Sequence, residues 1–262
     1  MKRKLGFSLV ELSIVLVILG LLVGGVLAGK SLIRAAELRT VTTEYNRHYT
    51  GVQSFRDRYF ALPGDMTNAT AFWGIAGGTG NDGTCRSTYY TGITTCNGNG
   101  DGTLANSTGS YESYRFWQHL ANAGLIEGSY SGGGAGLYVG GTDVPISKHS
   151  AGAIWVTNYT ACPITGNTAR FDGNCGNTMF TAIRDTVTPG WYGGLDPSEA
   201  WNIDTKSDDG MPGTGRIVAP WSGSYSASGV KCTLAANSAE MTAAYNISVP
   251  DKACLLWARF QK

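Results

Sequence analysis

Glu11 is the residue whose setting asks most of its chemistry. It is the single charged side chain from Phe7 to Ala28, a run of 22 otherwise apolar, small or hydroxyl residues. A carboxylate placed in such a run costs on the order of 3 kcal/mol in lipid, so its retention marks a function, most simply a partner of opposite charge. Gly6-Phe7 stand just before it, behind the basic cluster Lys2-Arg3-Lys4.

Two groups of oxygen-bearing side chains could take a hard cation. Asn97, Asn99 and Asp101 place oxygens at alternate positions ahead of Gly102, the first half of an EF-hand-type calcium loop. Its twelfth position is Thr108 instead of Glu, so the bidentate ligand is missing, with Glu112 as the nearest stand-in. A plain Asn/Gly turn explains the same residues. Asp204, Asp208 and Asp209 form the second group, three acids that repel one another unless a cation or a base such as Lys206 intervenes. Calcium is the one cofactor these residues suggest.

Six cysteines occur, Cys85, Cys96, Cys162, Cys175, Cys232 and Cys254, with no Cys-x-x-Cys pair and only three scattered histidines, His48, His119 and His149. That spacing is poor for zinc. An even number beyond a membrane-targeting segment fits disulfides in an oxidising compartment. Short separations favour Cys85–Cys96, Cys162–Cys175 and Cys232–Cys254 among the possible pairings.

Twenty Lys and Arg face 19 Asp and Glu in 262 residues, and losing Lys2, Arg3 and Lys4 leaves 17 against 19. No basic stripe exists to replace phosphate counterions, so nucleic acid is not an expected partner. Charged residues make up only 15% and glycines number 37, a loop-rich composition, while seven Trp and thirteen Tyr supply a core. Neither a Gly-x-Ser-x-Gly elbow, nor His-Glu-x-x-His, nor a Walker-type loop is present, and the chain does not read as an enzyme.

The elements that must carry these residues begin with the apolar run. As helix it spans about 33 Å, enough for a hydrocarbon core of roughly 30 Å. The basic cluster in front keeps Met1 cytoplasmic and sends the rest outward. Beyond Lys30, Leu38, Val41, Tyr45, His48, Val52, Phe55 and Tyr59 recur three and four apart, a continuous helical stripe suited to burial under a sheet. Arg34, Glu37, Arg39, Glu44, Arg47, Arg56 and Arg58 are expected on the opposite face, and Pro63-Gly64 stops the helix near Phe60. Gly20, Gly24, Gly25 and Gly29 could allow close helix contacts or local unwinding. A short helix is predicted over Tyr111–Ala123, ended by Gly124. Ala153–Thr157, Arg216–Ala219 and Cys254–Phe260 have strand composition. Long loops are expected between Gly74 and Gly109.

Gly6-Phe7-Ser8-Leu9-Val10-Glu11-Leu12, behind a short basic leader, resembles the class III leader of type IV prepilins and pseudopilins, with Glu11 fifth from Phe7. Leu62-Pro63-Gly64-Asp65, Trp117-Gln118-His119-Leu120 and Ala123-Gly124-Leu125-Ile126 resemble a subgroup of larger bacterial prepilin-like proteins. The resemblance implies an α+β fold: a long N-terminal helix, half transmembrane and half amphipathic, packed on an antiparallel sheet head with long Gly-rich loops. Its parts would be a leader over 1–6, a membrane and filament-core helix over 7–29, the amphipathic half over 30–62 and the head over 63–262. It further implies cleavage at Gly6/Phe7 and N-methylation of Phe7 by a prepilin peptidase. Glu11 would pair with the terminal ammonium of a neighbouring subunit, other pilin subunits and an inner-membrane assembly platform being the remaining partners. The precursor would sit in the inner membrane with its head in the periplasm, and the product in an extracellular filament or periplasmic pseudopilus. Cys232 and Cys254 resemble the disulfide-closed loop of many pilins, and some pseudopilins bind calcium through head carboxylates such as Asp204, Asp208 and Asp209. A pilus subunit is the reading taken, with a secretion pseudopilin or a tip adhesin as alternatives.

Overall fold

The computed structural model describes residues 8–76, 92–104, 106–107, 110–133, 138–161, 169–185, 190–226 and 228–260. Gly6, Phe7, Cys85 and Cys162 lie outside the described residues.

Helix α1 runs unbroken over Leu9–Tyr59, about 75 Å at the α-helical rise. It passes straight through Gly20, Gly24, Gly25 and Gly29, all of them helical. Phe60 ends it in the left-handed conformation, with φ 53°, and its N–H donates to the Arg56 carbonyl. The two halves of α1 differ completely in surroundings. Residues 8–28 are exposed on every face, whereas Val41, Tyr45, His48, Val52 and Phe55 are buried.

The burying partner is a five-stranded antiparallel sheet. Its main path runs β3 (Ala153–Thr160), β4 (Gly176–Asp185), β7 (Leu256–Arg259), β6 (Ile217–Val218), and β5 (Gly190–Tyr192) also pairs with β4. Strands β1 (Asn106–Ser107) and β2 (Ser110–Tyr111) form a separate two-stranded ribbon. Register sets the two faces of the main sheet. Trp155 lies opposite Thr181, Thr181 opposite Leu256, and Ala258 opposite both Met179 and Ile217, so these residues share one face. Val41 and Tyr45 of α1 sit over that face, beside Trp155, Thr181, Ile217, Leu256 and Ala258. The alternate residues, including Phe180 and Trp257, meet Trp191, Tyr225 and the Arg170 guanidinium, which lies 4.3 Å from the Trp257 ring centroid. Both sheet faces are therefore covered, which explains the unbroken burial of Ala153–Thr157.

Helices α2 (Ala69–Trp73), α3 (Glu112–Asn122) and α4 (Pro197–Ser207) complete the head. Helix α3 matches the segment expected to be helical, and Gly124 follows it with φ +71°. Its side chains close over the upper half of α1: His48 sits edge-on between Trp117 of α3 and Trp155 of β3, at 5.0 and 5.2 Å between ring centroids. His48 is thus a packing residue, as its place on the stripe suggested. Cys232 is bonded to Cys254, and Cys96 and Cys175 are each disulfide-bonded as well. The chain is α+β, a long N-terminal helix on an antiparallel sheet.

Candidate functional site

The start of α1 is built from the motif residues themselves. Ser8 is the N-cap, in extended conformation, and its Oγ accepts from the Val10 N–H at 3.3 Å. Glu11 reaches back so that its Oε2 accepts from the Ser8 N–H at 2.8 Å. This is a reciprocal capping box, and it satisfies two of the donors that a helix start leaves open. Above it, sixteen large aliphatic side chains between Leu9 and Ile33 are exposed. Burying them would contribute on the order of tens of kcal/mol, so this half of α1 cannot stand in water. Among the described residues α1 is the one helix long and apolar enough to cross a membrane.

Where α1 enters the head, Arg34 ties it down. Its Nε and Nη2 donate to the two carboxylate oxygens of Glu199 at 2.5 and 2.8 Å. The remaining donors reach the Glu37 carboxylate and the carbonyls of His149 and Gly194. Glu199 also accepts from Lys252 Nζ at 2.6 Å and from the Asp196 N–H, closing the capping box of α4. Burial alone would raise the Glu199 carboxyl, but hydrogen bonds from Arg34 and Lys252 outweigh it and hold it at about 2. Periodicity alone places Arg34 on the solvent face; in the structure it is half-buried and paired. Glu44 departs further from that expectation. It is buried, its Oε2 accepting from Ser147 Oγ at 2.6 Å and Trp155 Nε1 at 2.8 Å, because the head wraps beyond the apolar stripe.

The segments Leu62–Asp65 and Trp117–Leu120, noted as similar to larger prepilin-like proteins, meet in space. The Gly64 N–H donates to His119 Nδ1 at 2.9 Å, and a Cβ on Gly64, where φ is +85°, would collide with the Glu112 carbonyl of α3. That leaves Nε2 as the protonated nitrogen of His119, donating to Thr95 Oγ1, which in turn donates to Gln118 Oε1.

Both acidic groups form, in altered company. The Asp65, Asp101 and Glu112 carboxylates lie within 4.8 Å of one another. Asp65 accepts from the Gly100 and Gly102 N–H groups, and Glu112 from the Asn99 N–H. Gly98 passes so near the Asp65 backbone that a Cβ would not fit. Of the expected Asn97, Asn99 and Asp101 set, Asn97 Oδ1 accepts from the Thr70 N–H, and Asn99 donates to the Asp101 carboxylate. Asp65 was missed, although it stands in the Leu-Pro-Gly-Asp turn. Asp204, Asp208 and Asp209 do come together. Asp204 closes the last turn of α4, fully buried, and accepts from Tyr245 Oη at 2.8 Å. Burial pushes it up to about 7, with Asp209 and Asp208 adding to the rise against the Tyr245 and Gly210 hydrogen bonds. Asp208 accepts from the Arg216 and Ile217 N–H groups, and Asp209 from Met211 N–H and Thr214 Oγ1. Lys206 makes no ion pair with the group among the described residues. Both sets of oxygens have the hardness calcium needs, and both are already held by protein donors.

The family model for the prokaryotic N-terminal methylation motif matches residues 1–27. The chain carries a type IV prepilin class III leader. It is therefore pilin-like at the end where Glu11, the bare half of α1 and the basic cluster lie. Neither the curated proteins nor the solved structures compared with it gave a match. For a pilin-like chain the leader implies processing by prepilin peptidase and assembly with other pilins in general. Its apolar helix fits anchoring in a membrane before assembly.

Proposed function

We infer that this chain is a structural subunit of a type IV pilus, cut between Gly6 and Phe7, methylated on Phe7, and assembled through α1 with Glu11 facing the terminal ammonium of a neighbouring subunit. The observation that carries the reading is the bare lower half of α1 behind a prepilin leader. Lipid covers this surface in the precursor, and the helices of neighbouring subunits cover it in the filament. Arg34 then fixes the protruding half to the head, so that docking of one helix places the whole head.

Glu11→Ala tests the pairing. The precursor is expected to be cleaved as in the wild type, while filaments sheared from cells fall to background. Normal filament yield from that variant would remove the charge pair from the account. Wild-type filaments recovered from the cell surface support a pilus, whereas filaments confined to the periplasm would make the chain a secretion pseudopilin instead.

A further inference from the structure

We propose that Glu11 acts first as the cap of its own membrane helix, with Ser8 as the residue that positions it, before it meets any neighbouring subunit. The proposal rests on the filament reading only for what happens later. Its own content concerns the single chain in the membrane.

The geometry is that of a closed box. The Ser8 N–H is bound by Glu11 Oε2 at 2.8 Å, the Val10 N–H by Ser8 Oγ at 3.3 Å, and the first backbone bond of the helix runs from the Leu12 N–H to the Ser8 carbonyl at 3.1 Å. In water such donors would be solvated if the box opened. At the edge of a hydrocarbon layer they would not, and each unsatisfied group there is costly. The same low polarity makes a free carboxylate costly. Ser8 and Glu11 therefore answer each other's need within one chain. A Glu11 held in this way is restrained to the first turn of its own helix, beside the Phe7–Ser8 peptide, and not left to turn into the lipid.

A hydrogen-bond acceptor at position 11 is enough for this role, whereas pairing with an ammonium needs the charge. Glu11→Gln keeps an acceptor oxygen and loses the charge; Glu11→Ala loses both. Amide hydrogen exchange, measured by NMR on the full-length cleaved protein as a monomer in detergent micelles, separates them. In Glu11→Ala the Ser8 and Val10 amides should exchange about tenfold faster than in the wild type, the size expected for loss of a cap. In Glu11→Gln they should stay within about twofold. Ser8→Ala should accelerate Val10 while leaving Val52, deep in the head, unchanged in every variant. Unaltered exchange in Glu11→Ala would overturn the proposal, as would equal acceleration in Glu11→Gln and Glu11→Ala. Because the monomer is read directly, a Glu11→Gln protein that kept its protection and still built filaments would uphold the cap and overturn the charge pair.

Discussion

The lower and upper halves of α1 are one helix with two opposite solutions to the same problem. Over residues 9–28 the apolar side chains point in all directions and stay exposed, with nothing among the described residues covering them. From Val41 to Phe55 the apolar side chains form one stripe, and sheet, α3 and α4 cover it. The upper half is finished by folding; under the proposed function the membrane and then neighbouring subunits finish the lower half. The lesson is that burial within a chain measures packing of that chain only; the most apolar segment here is the least buried.

Paired substitutions sharpen the contrast most. Phe55→Ala empties a fully buried site against Tyr59, Trp73 and His119 and should destabilise the head by about 3–5 kcal/mol in denaturant titrations. Leu16→Ala, on the bare half, should leave head unfolding unchanged within about 0.5 kcal/mol and lower filament yield. A large loss of head stability from Leu16→Ala would contradict the division.

The junction comes next. Arg34→Ala leaves Glu199 with Lys252 as its remaining cation and removes donors from two carbonyls. A loss of roughly 2 kcal/mol is expected from broken charged hydrogen bonds, discounted for partial exposure of both side chains. No change in melting temperature would mean that the halves are joined by the continuous helix alone.

Acid acts on the packed half. His48, His119 and His149 are held neutral by burial down to about 3, 3 and 4, with nearby arginines adding to the shift. The unfolded chain takes up these protons near pH 6.5. Stability from these groups is therefore full above that pH and is lost as pH falls towards 4. Asp204 works the other way: its raised value favours the fold at low pH and opposes it as pH climbs from the ordinary carboxylate range through about 7. Burial raises Asp65 and Asp143 as well, but the three histidines carry the large shifts across this window, so the head should melt at lower temperature at pH 4.5 than at pH 7. Asp204→Asn should steepen that dependence. A flat profile between pH 4.5 and 7 would show that the histidines can charge in place.

The smallest effect lies at the end of the helix. Phe60 is 93% exposed and holds the left-handed conformation that favours glycine. Phe60→Gly should stabilise the head by about 1 kcal/mol, read as a small rise in denaturation midpoint.

Much of this was legible in advance because local rules governed it. The length of α1, its stripe and its stop ahead of Pro63-Gly64 follow from periodicity and from residues that break helices. Helix α4 also carries a local signal that the sequence reading above does not use: Asp196-Pro197-Ser198-Glu199 is a capping box with proline at the first turn. Strand β4, central to the sheet, was missed because Thr178, Thr181 and Arg184 interrupt its apolar residues, and only its neighbours on both sides explain its burial. The pairings of Arg34 with Glu199 and of Glu44 with Trp155 join residues more than 100 positions apart. No local pattern encodes such a meeting. Asp65 shows the intermediate case, visible in a turn motif, but assigned a role only when the loop around Gly98–Gly102 closes on it.

Under the proposed function the chain is a processed subunit whose helix starts close to the new terminus. Mass spectrometry of the protein isolated from membranes and from filaments tests it most directly. The expected result is a mature chain starting at Phe7, heavier by one methyl group on that residue. A chain still starting at Met1, or one cut near Gly29 with the apolar half gone, would contradict it.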